Sequence, residues 1–206
     1  PSGGTVTVSS GTLETAGALS AQELQLRSGL WRNTGTVSLG GDGRLTLDAL
    51  DNDGTLLSAG TWDIRGAAVT NRGTLQGDGL TLQGERLDNR GSLTGVRSLT
   101  VTLPGTLTNT GLLTGQRLDL TAGSLANGGT LLGVDALTLA IAGTARNQAG
   151  GRWLSQGDGR LTAAELDNQG DWQSDRIAVT AGRVRNAGQV LGISALTLTA
   201  DDALTN

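Results

Sequence analysis

An Asn recurs through this chain at intervals too even to be chance and too short to enclose a domain. It stands at positions 33, 52, 71, 89, 109, 127, 147, 168, 186 and 206, with gaps of 19, 19, 18, 20, 18, 20, 21, 18 and 20 residues. Asn71-Arg72-Gly73-Thr74-Leu75 is the clearest copy of a phrase in which a Gly follows the Asn and apolar residues keep fixed offsets from it. A unit of this length cannot bury its own apolar side and must stack on copies of itself, so the repeat points to a solenoid.

Three apolar landmarks recur in each period. One lies two residues before the Asn, in Trp31, Leu50, Val69, Leu87, Leu107, Leu125, Ala145, Leu166, Val184 and Leu204. A second lies four residues after it, for example Val37, Leu56, Leu75, Leu93, Leu113, Leu131, Trp172 and Val190. The third is an alternating triplet such as Leu24-Gln25-Leu26, Leu45-Thr46-Leu47, Trp62-Asp63-Ile64, Leu80-Thr81-Leu82, Leu99-Thr100-Val101 or Leu118-Asp119-Leu120. A period of two is strand periodicity with the middle residue facing water. The interspersed Gly disfavours helix by up to about 1 kcal/mol per residue. The expected fold is all-β, a parallel β-helix of about ten coils of 18–21 residues with three short strands per coil.

The 206 residues could form more than one domain by length alone. The unbroken register makes residues 1–206 a single β-helical repeat segment. With no Met at position 1 and a repeat landmark at Asn206, the sequence reads as an excerpt of a much longer filament. Phe, Tyr and Cys are absent, so the core must be small and aliphatic and no thiol or disulfide chemistry is available. No stretch approaches the roughly 18 consecutive apolar residues of a membrane span, and no signal peptide opens the chain. Net charge is −4, and the 15 basic residues are all Arg, scattered singly. Nucleic-acid binding would want a basic stripe, so no nucleic-acid partner is expected.

The opening stretch from Pro1 to Gly17 is less regular, with Thr15-Ala16-Gly17 standing where later coils have Asn-x-Gly. Gly77, Gly95, Gly115, Gly133 and Gly192 fall six residues after their Asn, and Gly66, Gly84, Gly105, Gly123, Gly143 and Gly182 a few before the next. These glycines read as corners whose backbone angles would penalise a side chain. The longest gap, from Asn147 to Asn168, is resolved by aligning Trp153 with Trp172. That leaves a surplus around Ala149-Gly150, expected to form an outward bulge.

Stacked parallel strands put equivalent residues directly above one another at about 4.8 Å. An Asn amide carries both donor and acceptor, so a column of them can bond along the axis as a ladder or tie off backbone groups at a corner. Asn also tolerates left-handed backbone. A ladder outweighs a row of surface ligand-binding amides. The residue before each Asn should face solvent, and Arg146, Asp167 and Arg185 alternate in sign along that column. Such exposed pairs contribute only about 0–1 kcal/mol each.

Little here resembles reaction chemistry. Gly41-Asp42-Gly43, Gly77-Asp78-Gly79 and Gly157-Asp158-Gly159 lack the context of a phosphate loop and the dense spacing of calcium-binding nonapeptides, and they read as turns. Asp51, Asp53 and Asp63, or Asp167, Asp171 and Asp175, could supply a pair of acids, but neither group has an evident second partner. There is no His. No catalytic, cofactor-binding or metal-binding residue is assigned, no cofactor is expected, and the chain reads as a non-enzyme.

Leu87-Asp88-Asn89-Arg90-Gly91-Ser92-Leu93-Thr94-Gly95, with Leu107-Thr108-Asn109-Thr110-Gly111 and Leu166-Asp167-Asn168-Gln169-Gly170, resembles the filamentous haemagglutinin repeats. These occur in large Gram-negative exoproteins, both adhesins and the stick proteins of contact-dependent growth inhibition. The resemblance spans residues 15–206. It implies a right-handed parallel β-helix, export by two-partner secretion with an outer-membrane transporter as partner, and a virulence-associated filament at the bacterial cell surface. Neither an Asn-Pro-Asn-Gly secretion signature nor a Val-Glu-Asn-Asn boundary is present.

The expected function is a structural shaft segment that holds a distal part away from the cell, in an adhesin first and a toxin-delivery filament as the alternative. Any host or neighbouring-cell receptor would be met by other regions. A direct carbohydrate- or receptor-binding module is a further alternative that an exposed aromatic row would support. All four Trp fall on apolar landmarks and are expected inside.

Overall fold

The computed structural model describes residues 4–206. The first three residues of the opening coil, read from Pro1, lie outside the described residues. The alternating triplets do form strands, and all sixteen join one sheet in which every pairing is parallel. Each strand pairs with its equivalent one period away, which closes the chain into a parallel β-helix. Eleven rungs stack at the Asn column, because Thr15 pairs with Asn33 beneath the ten asparagines. Residues 5–15 of the opening stretch therefore supply two runs of strand beneath the first Asn coil.

A central coil shows the plan. Residues 92–95, 98–103 and 106–109 pair with 112–115, 117–122 and 124–127, and the register shifts between Gly95 and Ser98 and between Leu103 and Thr106. These are the three short strands of the repeat, although the backbone stays extended through the shifts and Ser92–Asn109 runs as one strand. Inward residues are aliphatic and almost fully buried, among them Leu93, Leu99, Val101 and Leu107 at 0% exposure. Burying each Leu contributes about 2 kcal/mol, and the columns repeat this on the interior coils, while on the last coil Leu196 and Leu204 are 48% and 57% exposed.

All four Trp are inside at 0% exposure. Trp153 and Trp172 stack in adjacent coils as the alignment required, in the column that carries Leu131 and Val190. Their rings meet edge to face, with centroids 5.3 Å apart and planes at 75°. One triplet departs from the expected alignment. Leu45 sits over Leu26 and under Ile64, so the partner of Leu24 and Trp62 is Gly43. The vacancy is filled by Trp62, whose ring occupies the space where a Cβ on Gly43 would stand. Gly159 likewise makes room beside Ser174 and the Trp172 indole nitrogen. Trp62 and Trp172 are thus each accommodated by a Gly on a neighbouring coil, whereas Trp31 stacks between Leu13 and Leu50.

The expected corner glycines owe their place to close approach and not to backbone angle. A Cβ would overlap a carbonyl oxygen of the same coil at Gly95 and Gly133 and of the coil below at Gly84, Gly105 and Gly123, whereas Gly66 has room for one. Among the described residues only Gly150 has a positive φ, +83°. At Gly35, Gly54, Gly73, Gly91, Gly111 and Gly129 the constraint is proximity, since a Cβ there would overlap the carbonyl oxygen of the equivalent Gly one coil below. The surplus residues after Asn147 also take another form. Gln148–Gly151 is a turn closed by the Gly151 N–H donating to the Gln148 carbonyl at 2.8 Å, with Gly150 at the position that needs positive φ. It projects outward, so the stack is undisturbed.

Gly73→Ala should destabilise the chain by about 1–3 kcal/mol through forced overlap. Gly66→Ala, whose nearest neighbour would be the Leu47 carbonyl oxygen at 3.6 Å, should be neutral or stabilising by up to about 1 kcal/mol. Urea midpoints for the two variants measure the difference. Gly43→Ala should also destabilise, and Trp62→Leu should relieve part of that loss, with a coupling of about 0.5–3 kcal/mol in a double-mutant cycle. Strict additivity would show that the ring and the glycine do not share this space.

Candidate functional site

The densest polar chemistry in the molecule lies at the end of the third strand of each coil, inside the wall. Asn33, Asn52, Asn71, Asn89, Asn109, Asn127, Asn147 and Asn168 are all at 0% exposure. The Nδ2 group of each donates to the Oδ1 of the Asn one coil further on, at 2.8 Å for Asn33 to Asn52, 2.7 Å for Asn89 to Asn109 and 3.0 Å for Asn127 to Asn147. The chain of bonds continues through Asn186 to Asn206. The second Nδ2 hydrogen serves backbone carbonyls: Asn89, for instance, reaches Gly91 at 3.3 Å and Leu112 at 3.1 Å. None of these asparagines has positive φ, so the ladder accounts for the column and left-handed geometry does not.

The main chain doubles the arrangement. The Asn33 carbonyl accepts from the Asp53 and Gly54 N–H groups at 2.8 and 2.9 Å, and the Asn52 carbonyl repeats this with Arg72 and Gly73. Close approach at the Gly is what brings both donors onto one oxygen. At the first rung Thr15 replaces Asn: its hydroxyl donates to Asn33 Oδ1 at 2.6 Å and accepts from Trp31 Nε1 at 3.1 Å. Sequence reading placed Thr15 on the column without giving it this role. Its signal was Trp31, whose indole donor stands one coil above that hydroxyl.

The outer faces carry the charges, and the structure disperses the acidic groups singled out in the sequence. Asp53 pairs with Arg72 at 3.1 Å, Asp63 with Arg65 at 2.9 Å, and Asp51 lies 4.0 Å from Arg32. Arg32 also reaches Glu14 at 3.4 Å, so Glu14, Arg32 and Asp51 make an exposed alternating ladder. In the expected Arg146, Asp167 and Arg185 ladder only Arg146 pairs with the carboxylate, at 3.0 Å. Asp167 turns the shared oxygen toward Gln169 as well, 3.1 Å away. Among the described residues no group of three or more potential metal-ligating side chains comes together.

The Gly-Asp-Gly phrases are structural corners. Asp42 accepts the Thr61 backbone N–H at 2.9 Å, and Asp78 is held by Arg97. Asp158 accepts from Arg176 Nε at 2.9 Å and from Arg160 at 2.8 Å. The Arg176 hydrogen bond, aided by the charges of both arginines, holds this carboxyl below its ordinary range against a partial desolvation. Asp88 raises the Arg90 guanidinium in the same way, through hydrogen bonds from Nε and Nη2. A shallow depression of about 550 Å³ runs over Thr70, Arg86, Asp88, Thr106 and Thr108. It is open, of mixed polarity with Val69 and Leu87 in its lining, and lacks any aromatic wall. Among the described residues no helix is long and apolar enough to cross a membrane.

The chain is similar along its whole length to part of a deoxyribonuclease CdiA of Dickeya dadantii strain 3937, at 61% identity over 100% of the chain and 6% of that protein. A toxin CdiA of Escherichia coli is 34% identical over 95% of the chain and 7% of its own length. A tRNA nuclease CdiA of Yersinia mollaretii is 28% identical over 100% and 6%. The chain therefore spans only a small fraction of the length of these relatives. No protein-family model matches it, and no solved structure matches it. The chain is thus similar to a repeat segment of CdiA proteins and folds as a parallel β-solenoid.

Asn89→Ala should leave Asn109 Oδ1 without its donor and reduce Asn71 Nδ2 to its bonds with the Gly73 and Ser92 carbonyls, at about 1–3 kcal/mol for the stranded oxygen. Asn206→Ala, on an exposed rung, should cost under about 1 kcal/mol. Equal shifts of the urea midpoint in the two variants would refute a cooperative interior ladder. For Asp158 the folded value lies below that of an unfolded Asp, about 3.9. Its contribution is present above that value and is lost as pH falls through the folded one. A carboxyl titration followed by NMR should give a midpoint below about 3.9, returning upward in Arg176→Gln and, because the pair is exposed, in high salt.

Proposed function

We propose that this segment is part of the shaft of a contact-dependent growth inhibition protein, a rigid spacer that carries a distal toxic part away from the producing cell. The observation that carries the reading is the combination of an uninterrupted parallel stack with similarity to CdiA proteins over nearly the whole chain. The relatives named above bear nuclease or toxin names, which favours this reading over the adhesin that sequence analysis put first. Burial of every Trp removes the main support for a direct carbohydrate-binding module.

In this reading the parent protein leaves the cell by two-partner secretion through an outer-membrane transporter, and the segment stands at the bacterial surface. Eleven rungs at about 4.8 Å give roughly 50 Å of reach. Because coil n needs only coil n−1 to bury its apolar side, folding can follow emergence of the chain.

The test uses the full-length parent protein. Cells producing it should inhibit contacted neighbours that lack immunity. Removal of residues 72–109, two whole coils that each end on a ladder Asn, should preserve export and inhibition with a filament about 10 Å shorter. Leu118→Asp, at a fully buried site, should impair folding and outward movement of the shaft. Adherence to target cells with no growth inhibition would overturn the toxin-delivery reading. Unchanged export and folding in Leu118→Asp would overturn the coupling between stacking and secretion.

A further inference from the structure

Asn127 is the one ladder residue followed directly by Gly. An Asn-Gly step carries a specific chemical liability. The Gly has no Cβ to hinder its backbone nitrogen, and its φ and ψ are the least restricted of any residue. Once deprotonated, that nitrogen can attack the Asn Cγ. The new N–Cγ bond forms, the Cγ–Nδ2 bond breaks and ammonia leaves, and water then opens the succinimide to Asp or isoaspartate. No oxidant or second reactant is needed. At the other Asn positions the next residue is Thr, Asp, Arg, Gln or Ala, each with a Cβ in the way, and Asn206 has none after it.

In the folded chain every atom of this reaction is held elsewhere. Asn127 is at 0% exposure. Its Oδ1 accepts from Asn109 Nδ2 at 2.7 Å, and its own Nδ2 donates to Asn147 Oδ1 and to the Gly129 carbonyl, both at 3.0 Å. The attacking nitrogen is occupied as well, since Gly128 N–H donates to the Asn109 carbonyl at 2.8 Å. Asn127 closes an extended strand, Leu112–Asn127, whose pairing on both sides resists the backbone rotation that ring closure requires.

The product would be incompatible with the site. In an Asp the second carboxylate oxygen would replace Nδ2, facing Asn147 Oδ1 and the Gly129 carbonyl with no hydrogen to offer either. Unpaired buried groups of this kind are strongly destabilising, and a charged one more so. An isoaspartate would add a backbone atom to the strand and displace the register of every residue after it.

We propose that Asn127-Gly128 is a folding-gated deamidation site. The ladder keeps it an amide for as long as the coil is closed, and a chain left open at this coil is converted into one that cannot close. The inference stands on the ladder geometry alone and is independent of the toxin-delivery reading.

The experiment incubates the purified chain at mildly alkaline pH in native buffer and in denaturant, and follows each Asn by peptide mapping with mass spectrometry. In denaturant Asn127 should convert faster than each of the other nine asparagines by an order of magnitude or more, whereas in native buffer it should remain intact. Gly128→Ala should suppress the conversion in denaturant while still folding, because its Cβ would crowd the movable Gln148 side chain, with Oε1 at 2.8 Å, and otherwise make an ordinary contact with Thr110 Cγ2 at 4.0 Å. After dilution from denaturant, the converted wild-type fraction should fail to regain the native circular dichroism that fresh chain recovers. Comparable conversion in the native state, no excess at Asn127 in denaturant, or full refolding of the converted fraction would each overturn the proposal.

Discussion

Hydrogen bonding along the axis sets the terms for every other feature of this molecule. Each coil satisfies its backbone through the coil below and the coil above, so equivalent residues are forced into columns at the strand spacing. A column has one environment, inside, corner or outside, and a residue must suit it on every floor. This is why Leu repeats with so little variation, and why a change at one position is answered on the adjacent coil. Gly43 beneath Trp62 is the plainest case, a large side chain admitted only where its neighbour has none. The turn at Gln148–Gly151 obeys the same constraint from the other direction, since extra residues are tolerated only when expelled from the stack.

Placing a row of amides within the wall would be costly if any were left unpaired. A primary amide escapes that cost because it offers donors and acceptors together, so identical copies satisfy one another. The bonds all run the same way, from Nδ2 toward the higher-numbered coil. Aligned amides polarise one another, so the ladder gains from its length. Thr15 can open the series because a hydroxyl supplies the single donor that Asn33 needs, and the Trp31 indole fills its remaining lone pair.

The exterior has no comparable organisation. Its ion pairs are local and nearly balanced in sign, and all but the one to Asp167 lie at the surface. Asp167 is buried although its place before the Asn predicts a solvent-facing side chain. Carboxylates that look grouped in sequence belong to different faces, because consecutive residues around a corner point in different directions. A stack of this kind offers length and stiffness, and its similarity to segments of CdiA proteins fits a part whose role is mechanical.

The period, the strand character and the inward columns were legible in the amino-acid order because stacking imposes the same demand at each repeat, and repetition in space is written as repetition in sequence. The Asn ladder was legible for the same reason, down to the column on which Thr15 stands. Three things were decided only in three dimensions. The true partner of Trp62 depended on a register offset of two residues in one coil, which leaves a period-two pattern unchanged. The Gly requirement looked like backbone freedom, yet it arises from a carbonyl oxygen close in space, one coil away at Gly73 and Gly84 and across the corner at Gly95 and Gly133. Which charges pair depended on side-chain reach across faces, so Arg32 bridges two acids while Arg185 leaves Asp167 to Arg146. Sequence alone determined which residues share a column; the tertiary structure decided what each column touches, since contacts between neighbouring coils depend on distances that spacing along the chain does not encode.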